Sequence, residues 1–139
     1  MAEQRRILIV EDDEGLRYAM TTALSRAGFA TDGVSDGDEA LDRISRGSAG
    51  YCAVLLDMII PTVHGSSVLA HVARVAPQLP VIAVTGYPDR VLFADPADRR
   101  VVKAIFIKPV DPRDIAAYLT SHCDRGTEAA SARASAPRA

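Results

Sequence analysis

Glu11, Asp12, Asp57, Thr85 and Lys108 each stand at the end of a short apolar run. Three carboxylates, a hydroxyl and an ammonium are few groups, but their chemistry is specific once they share one place. Crowded carboxylates repel one another and lose hydration. A hard divalent cation relieves both costs, and Mg²⁺ favours oxygen ligands, keeps several waters, and takes one or two carboxylates beside a phosphate oxygen. An added ammonium and hydroxyl donor suit a tetrahedral oxyanion. Phosphoryl transfer needs little more than positioning and electrostatic stabilisation, which such a set supplies. Asp57 is the candidate nucleophile, because carboxylates do form aspartyl-phosphates. It follows the run Ala-Val-Leu-Leu of residues 53–56. A charge where a buried strand surfaces calls for a partner. On that stretch alone, a loop aspartate capping the next helix explains Asp57 equally well.

The elements around these residues decide whether they meet. Residues 53–56 are a continuous apolar run, and residues 6–10, 80–85 and 102–107 are apolar apart from Arg6, Thr85 and Lys103. Such runs mark strands buried on both faces, the kind found in parallel sheets. Residues 29–34 alternate more weakly and suit an edge strand. Between the strands, apolar residues recur at helical spacing: Leu16, Met20 and Leu24, then Ala40, Leu41 and Ile44, then Val68, Leu69 and Val72. Asp13 and Asp36 (or Ser35) are predicted N-caps, and Gly28 and Gly47 predicted stops. Asp111-Pro112 opens a last helix with Ile115, Ala116 and Leu119 inward. Residues 88–102 hold Pro88 and Pro96, which cannot share one regular helix; an irregular segment is expected, then a short helix starting near Pro96. Five β-α units predict a parallel sheet with helices on both faces. In such sheets ligands bind outside the carboxyl ends of the strands, where strand order reverses. All five candidate residues lie at that edge if the strands are parallel.

The 139 residues argue for one domain, and 48% apolar with 24% charged residues suits an ordinary globule. A net charge of −2 speaks against direct nucleic-acid binding as the main activity. No apolar run reaches membrane-spanning length, and the N-terminus lacks the pattern of a signal peptide, so no membrane partner and a cytoplasmic location are expected. Residues 124–139 contain no large apolar side chain and are expected to form a disordered tail or linker after a domain over residues 1–123. Cys52 and Cys123 show neither a disulfide framework nor metal-ligand spacing, and Cys52 reads as a small packed hydrophobe. His64, His71 and His122 share no metal spacing and are expected to face solvent. Val91-Leu-Phe93 is expected to be core rather than an exposed partner surface, and Arg99 and Arg100 a solvated face.

Ile-Leu-Ile-Val-Glu-Asp at residues 7–12, Leu-Leu-Asp at 55–57 with Pro61 and Gly65, Ala-Val-Thr-Gly at 83–86, and Lys108-Pro109 resemble the receiver domain of two-component response regulators. The likeness runs in unbroken order over residues 5–123, and five motifs in order are specific where one is not. The resemblance implies a flavodoxin-like (βα)5 doubly wound parallel sheet with strand order 2-1-3-4-5. It implies that Asp57 accepts a phosphoryl group from a sensor histidine kinase or a histidine phosphotransfer protein. It further implies Asp12, Asp57 and the Ile59 carbonyl as Mg²⁺ ligands, with Glu11 acting through water. Thr85 would bond a phosphoryl oxygen and draw its loop inward, Lys108 would pair with the phosphate, and the Lys108–Pro109 bond would be cis. The role is a signalling switch rather than an enzyme, acting on an output protein the sequence does not name. Similar domains often pair through a helix-strand-helix face, so a homodimer is among the expected assemblies.

Three features depart from the family pattern. Ile105 stands where an aromatic switch residue is usual, with Phe106 beside it on the opposite strand face. The stretch from Thr85 to Lys108 is long and carries two prolines. His64 precedes Gly65, where an acidic or small polar residue is usual. The first two motivate an alternative: a receiver-like interaction module without phosphoryl turnover. A Mg²⁺-dependent phosphatase is disfavoured, because Ile59 occupies the place of the second acid/base carboxylate. The chain reads as a single-domain regulator or as part of a longer one, with the former favoured.

Overall fold

The computed structural model describes residues 5–123; the expected tail, residues 124–139, lies outside them. The described residues form five parallel strands: β1 (Arg6–Val10), β2 (Ala30–Val34), β3 (Ala53–Leu56), β4 (Val81–Thr85) and β5 (Val102–Ile107). Their order is β2-β1-β3-β4-β5, as the resemblance implies. Three long helices alternate with the first strands: α1 (Glu14–Arg26), α2 (Gly37–Gly47) and α3 (Gly65–Val75). Two single turns, α4 (Asp89–Leu92) and α5 (Pro96–Arg99), link β4 to β5, and α6 (Pro112–His122) ends the fold.

The caps expected from sequence are in place. The Asp13 carboxylate accepts from the Gly15 amide, Asp36 from Glu39, and Asp111 from Arg113. Each satisfies a backbone donor that a helix start leaves unpaired. Gly28 follows α1 with φ +97°, a left-handed conformation that favours glycine.

The strands split the core into two layers. Leu8, Val10, Val54 and Leu56 face α2 and α3, with Val68, Leu69 and Val72. Ile7, Ile9, Ala53 and Leu55 face α1 and α6, with Met20, Leu24, Ile115 and Leu119. Strict alternation along β1 and β3 places both layers at zero or near-zero exposure. Each large aliphatic side chain so buried contributes roughly 1.5–3 kcal/mol. Ile105 leans on the first layer and Phe106 on the second, where its ring meets Tyr118 edge-on at 5.9 Å. These neighbours do lie on opposite faces.

Three expectations need correction. Residues 88–102 hold a helical turn at α4 as well as the one at Pro96, because Pro88 sits before the turn's first residue and removes no bond within it. Val91 is buried, but Leu92 and Phe93 are exposed, Phe93 to 85%. A four-residue turn has one inward position, so the three could not all be core. Arg100 is exposed, and the half-buried Arg99 also donates to the Leu92 carbonyl at 2.6 Å in an exposed bond that ties α5 to α4. Cys52 and Cys123 are not separate packed thiols. Their Cα atoms lie 6.0 Å apart and the sulfurs are joined. A separation of 71 positions hid the pair from spacing arguments.

Candidate functional site: the acidic edge of the sheet

The sheet ladder continues one residue beyond its strands, and this aligns the candidate residues. The Glu11 amide donates to the Val34 carbonyl, the Asp57 amide to Val10, and the Lys108 amide to Thr85, at 3.1, 3.1 and 3.0 Å. Each polar side chain is thereby fixed at one edge by backbone bonds, not by side-chain luck. Asp57 and Glu11 are buried despite their charge, and Thr85 is fully so.

The Lys108 ammonium joins them. Its Nζ lies 2.8 Å from Asp57 Oδ2 and 2.8 Å from Glu11 Oε1. Burial depresses the lysine's proton affinity, but its bonds to Asp57 and Glu11 outweigh that, so the ammonium is held above its ordinary pKa. Glu11 is pushed the other way from most paired carboxylates. Burial raises its pKa, and the bonds from Lys108 and the Asp13 amide only partly offset this, while the Asp57 charge adds to it. Asp57 Oδ1 accepts from the Ile59 amide at 3.0 Å. Glu11 Oε2 accepts from the Asp13 amide at 3.0 Å.

The donor set fits a hard divalent cation. Glu11, Asp12 and Asp57 each offer an oxygen within 4.8 Å of the others. Asp12 is exposed at the rim and the other two are buried. Glu11 Oε1 is buried without a directional hydrogen bond and has only the ammonium contact to balance it. Oxygen-only donors of mixed burial, with room for water at the rim, match Mg²⁺ rather than a thiolate- or imidazole-seeking metal.

Thr85 stands on β4 beside Ile107 of β5, one residue short of Lys108. Its Oγ1 accepts from the Tyr87 amide at 3.0 Å, which orients the hydroxyl and leaves its own proton to donate. Ile59 brings its amide to Asp57 and is 40% exposed at the site mouth. The Lys108–Pro109 bond is cis. His64 is exposed at the start of α3 and caps nothing with its side chain. The other histidines lie elsewhere. His71 Nε2 meets Ser45 Oγ at 2.9 Å while Nδ1 meets an Arg74 nitrogen at 3.3 Å. An arginine can only donate, so Nδ1 accepts and Nε2 carries the proton, which is the wrong tautomer for activating the serine.

Two supports were not legible in the motifs. Arg17 on α1 donates to the Glu11 carbonyl at 2.8 Å and pins the acidic loop. Gly33 of β2 leaves it room, since a Cβ there would stand 3.3 Å from Arg17 Cδ. The second support is close backbone approach. A Cβ on Gly65 would lie 2.5 Å from Met58 Cα, and one on Gly37 would lie 2.5 Å from the Val63 carbonyl. Both helices can therefore press on the loop that follows Asp57. A glycine opening a helical pattern was the available signal.

A buried acidic cluster closed by one lysine thus lies at the carboxyl edge of a parallel sheet in this strand order, the edge where open α/β sheets place their ligands. The family profile described as the response regulator receiver domain matches residues 7–120, and the chain belongs to that family. Among curated relatives, the transcriptional regulatory protein CutR of Streptomyces coelicolor is 38% identical over 84 residues, covering 60% of this chain and 38% of its own length. YkoG of Bacillus subtilis, described as an uncharacterized transcriptional regulatory protein, is 35% identical over 96 residues, covering 67% and 41%. The chain thus spans less than half the length of these relatives. Among solved structures, a CheY-like receiver domain protein from Methanospirillum hungatei superposes with a TM-score of 0.77 at 26% identity, covering 88% of this chain and 95% of that one. TrrA from Thermotoga maritima, solved in complex with Mg²⁺-BeF, gives a TM-score of 0.71 at 22% identity, covering 84% and 97%, a likeness of fold. Among the described residues, no helix is long and apolar enough to cross a membrane.

Proposed function

We propose that this receiver accepts a phosphoryl group on Asp57 from a phosphohistidine of a sensor histidine kinase or phosphotransfer protein, and thereby switches its contacts with an output protein. The observation that carries the reading is the Lys108 ammonium, 2.8 Å from carboxylates of both Glu11 and Asp57. An ammonium so placed is ready to follow negative charge as it moves onto the phosphoryl oxygens. In the step itself, an Asp57 carboxylate oxygen attacks phosphorus, the phosphorus–nitrogen bond breaks, and the leaving imidazole keeps the electron pair and takes a proton. Lys108 then pairs with a phosphoryl oxygen, and the Thr85 hydroxyl donates to another. Tyr87 moves with Thr85 because its amide is bonded to that hydroxyl oxygen. This offers the conformational route outward, through a two-state loop.

Glu11, Asp12 and Asp57 would hold Mg²⁺, with the Ile59 carbonyl as the further protein donor. When bound, the ion supplies charge neutralisation across the carboxylates and the transferring group. Residues 1–123 constitute the receiver in this reading, residues 124–139 a tail or linker, and the cytoplasm the location. CutR and YkoG are transcriptional regulators by description, so a transcriptional output is one form the partner takes.

One observation favours a second reading, a receiver-like module without turnover. Between Thr85 and Lys108 the structure has two single turns in place of a long helix, and Ile105 is not aromatic. Mass spectrometry after incubation with Mg²⁺ and a small phosphodonor separates the two. The first reading expects the mass gain of one phosphoryl group on wild type and none on Asp57→Ala. No gain on folded wild type sinks it and leaves the second.

A further inference from the structure

The rim of the sheet opposite the acidic edge carries the paired cysteines. Cys52 directly precedes β3 and Cys123 follows α6. Their Cα separation of 6.0 Å lies within the range that a disulfide spans without backbone movement. Both are also held by contacts that do not involve sulfur. The Cys52 amide donates to the Arg6 carbonyl at 2.8 Å. The Cys123 carbonyl accepts from the Arg5 guanidinium at 2.9 Å, and its amide donates to Leu119 at 2.7 Å. The same guanidinium lies over the Phe29 ring, 4.3 Å from its centroid. Two adjacent residues at the start of β1 therefore position both cysteines.

The pair also borders a cavity of about 270 Å³ shared with Lys103, Tyr118 and His122. Cys52 is half-buried while Cys123 is only 5% exposed, so Cys52 is the more accessible partner for an incoming thiolate. Lys103 lines the same cavity, with its ammonium donating to the Arg100 carbonyl at 3.1 Å, and a cationic side chain in the lining favours an anionic thiol.

We propose that Cys52–Cys123 is a reversible thiol–disulfide site that exchanges with an anionic low-molecular-weight thiol of the glutathione class. A thiolate of that molecule attacks the Cys52 sulfur, the bond to Cys123 breaks, and Cys123 leaves as a thiolate and takes a proton. A second thiolate then attacks the small-molecule sulfur of the mixed disulfide. The protein is reduced to two thiols, and the two small thiols are oxidised to one disulfide. Closed, the bond fastens the last turn of α6 to the base of β3; open, that turn keeps the Arg5 bond, the Tyr118–Phe106 ring contact and the packing of Leu119. The site is independent of the chemistry at Asp57.

The test equilibrates wild type across a glutathione series from fully reducing to fully oxidising, alkylates free thiols after acid quenching, and counts them by mass, with circular dichroism monitoring the fold. One reversible transition between two thiols and none is expected, with the folded spectrum unchanged. Cys123→Ser is expected to trap one glutathione on Cys52. Arg5→Ala, still folded, is expected to shift the disulfide-to-dithiol ratio at fixed buffer roughly tenfold toward the dithiol, the scale of a lost charged hydrogen bond. Free thiols persisting in the oxidising buffer overturn the proposal. So does a bond that yields only when the chain unfolds, or an Arg5→Ala variant with the wild-type ratio.

Discussion

Replacing Lys108 with alanine removes the single positive charge shared by Glu11 and Asp57. At 2.8 Å each contact is worth roughly 6 kcal/mol of gross Coulomb attraction at an effective dielectric of about 20. Most of that is cancelled by the cost of taking the charges out of water. What matters is the state left behind: two carboxylates, 1% and 7% exposed at their side chains, facing each other without a counter-ion. Breaking a buried pair in this way costs roughly 3–5 kcal/mol. The Lys108 side chain is 25% exposed, so water enters where it stood, and about 3 kcal/mol is expected. The same argument gives the sign of a second effect. In wild type the ammonium competes with a cation for Glu11 and Asp57. Without it, Mg²⁺ becomes their only neutraliser. Lys108→Ala should thus bind Mg²⁺ more tightly than wild type, and millimolar Mg²⁺ should restore a larger share of its stability. Urea unfolding with and without Mg²⁺, at equal m-values, measures both. A variant within 0.5 kcal/mol of wild type in the absence of Mg²⁺, or one that gains no more from Mg²⁺ than wild type does, refutes the electrostatic account of the site.

Gly65→Ala forces a methyl group against Met58 backbone at 2.5 Å, so it should destabilise by about 2 kcal/mol and weaken Mg²⁺ binding at Asp57 next door; chemical denaturation with a Mg²⁺ titration checks it. Thr85→Ala leaves the Tyr87 amide without its acceptor, costing about 1 kcal/mol, whereas Thr85→Ser should keep both stability and the phosphorylation-linked shift of the Tyr87 amide in NMR spectra. Tyr51 has its phenol raised above the ordinary value of 10.0, by burial first and by its bond to Asp32 next, with Arg43 opposing. A raised folded pKa means that its contribution is fully present below pH 10 and is lost as pH rises through the shifted value. Ultraviolet tyrosine titration should therefore show a late phase that disappears in Tyr51→Phe.

The sequence by itself determined the parallel sheet, its buried strands, the helix caps at Asp13 and Asp111, and the five residues at one edge, and it narrowed the second cap to Ser35 or Asp36. Those are matters of period and punctuation, and they act over a few neighbouring positions: a run of Val, Ile and Leu has one economical conformation, and a strand's end is where its polar residue must stand. Only the tertiary structure decided which groups touch. Lys108 reaches Asp57 across 51 positions and Cys52 reaches Cys123 across 71, and no local preference encodes either distance. The same holds for Arg17 on the Glu11 carbonyl, for Arg99 binding two helical turns together, and for Phe93 turning outward while Val91 turns in. Side-chain reach depends on how the layers stack, and stacking is a property of the whole sheet rather than of any one segment.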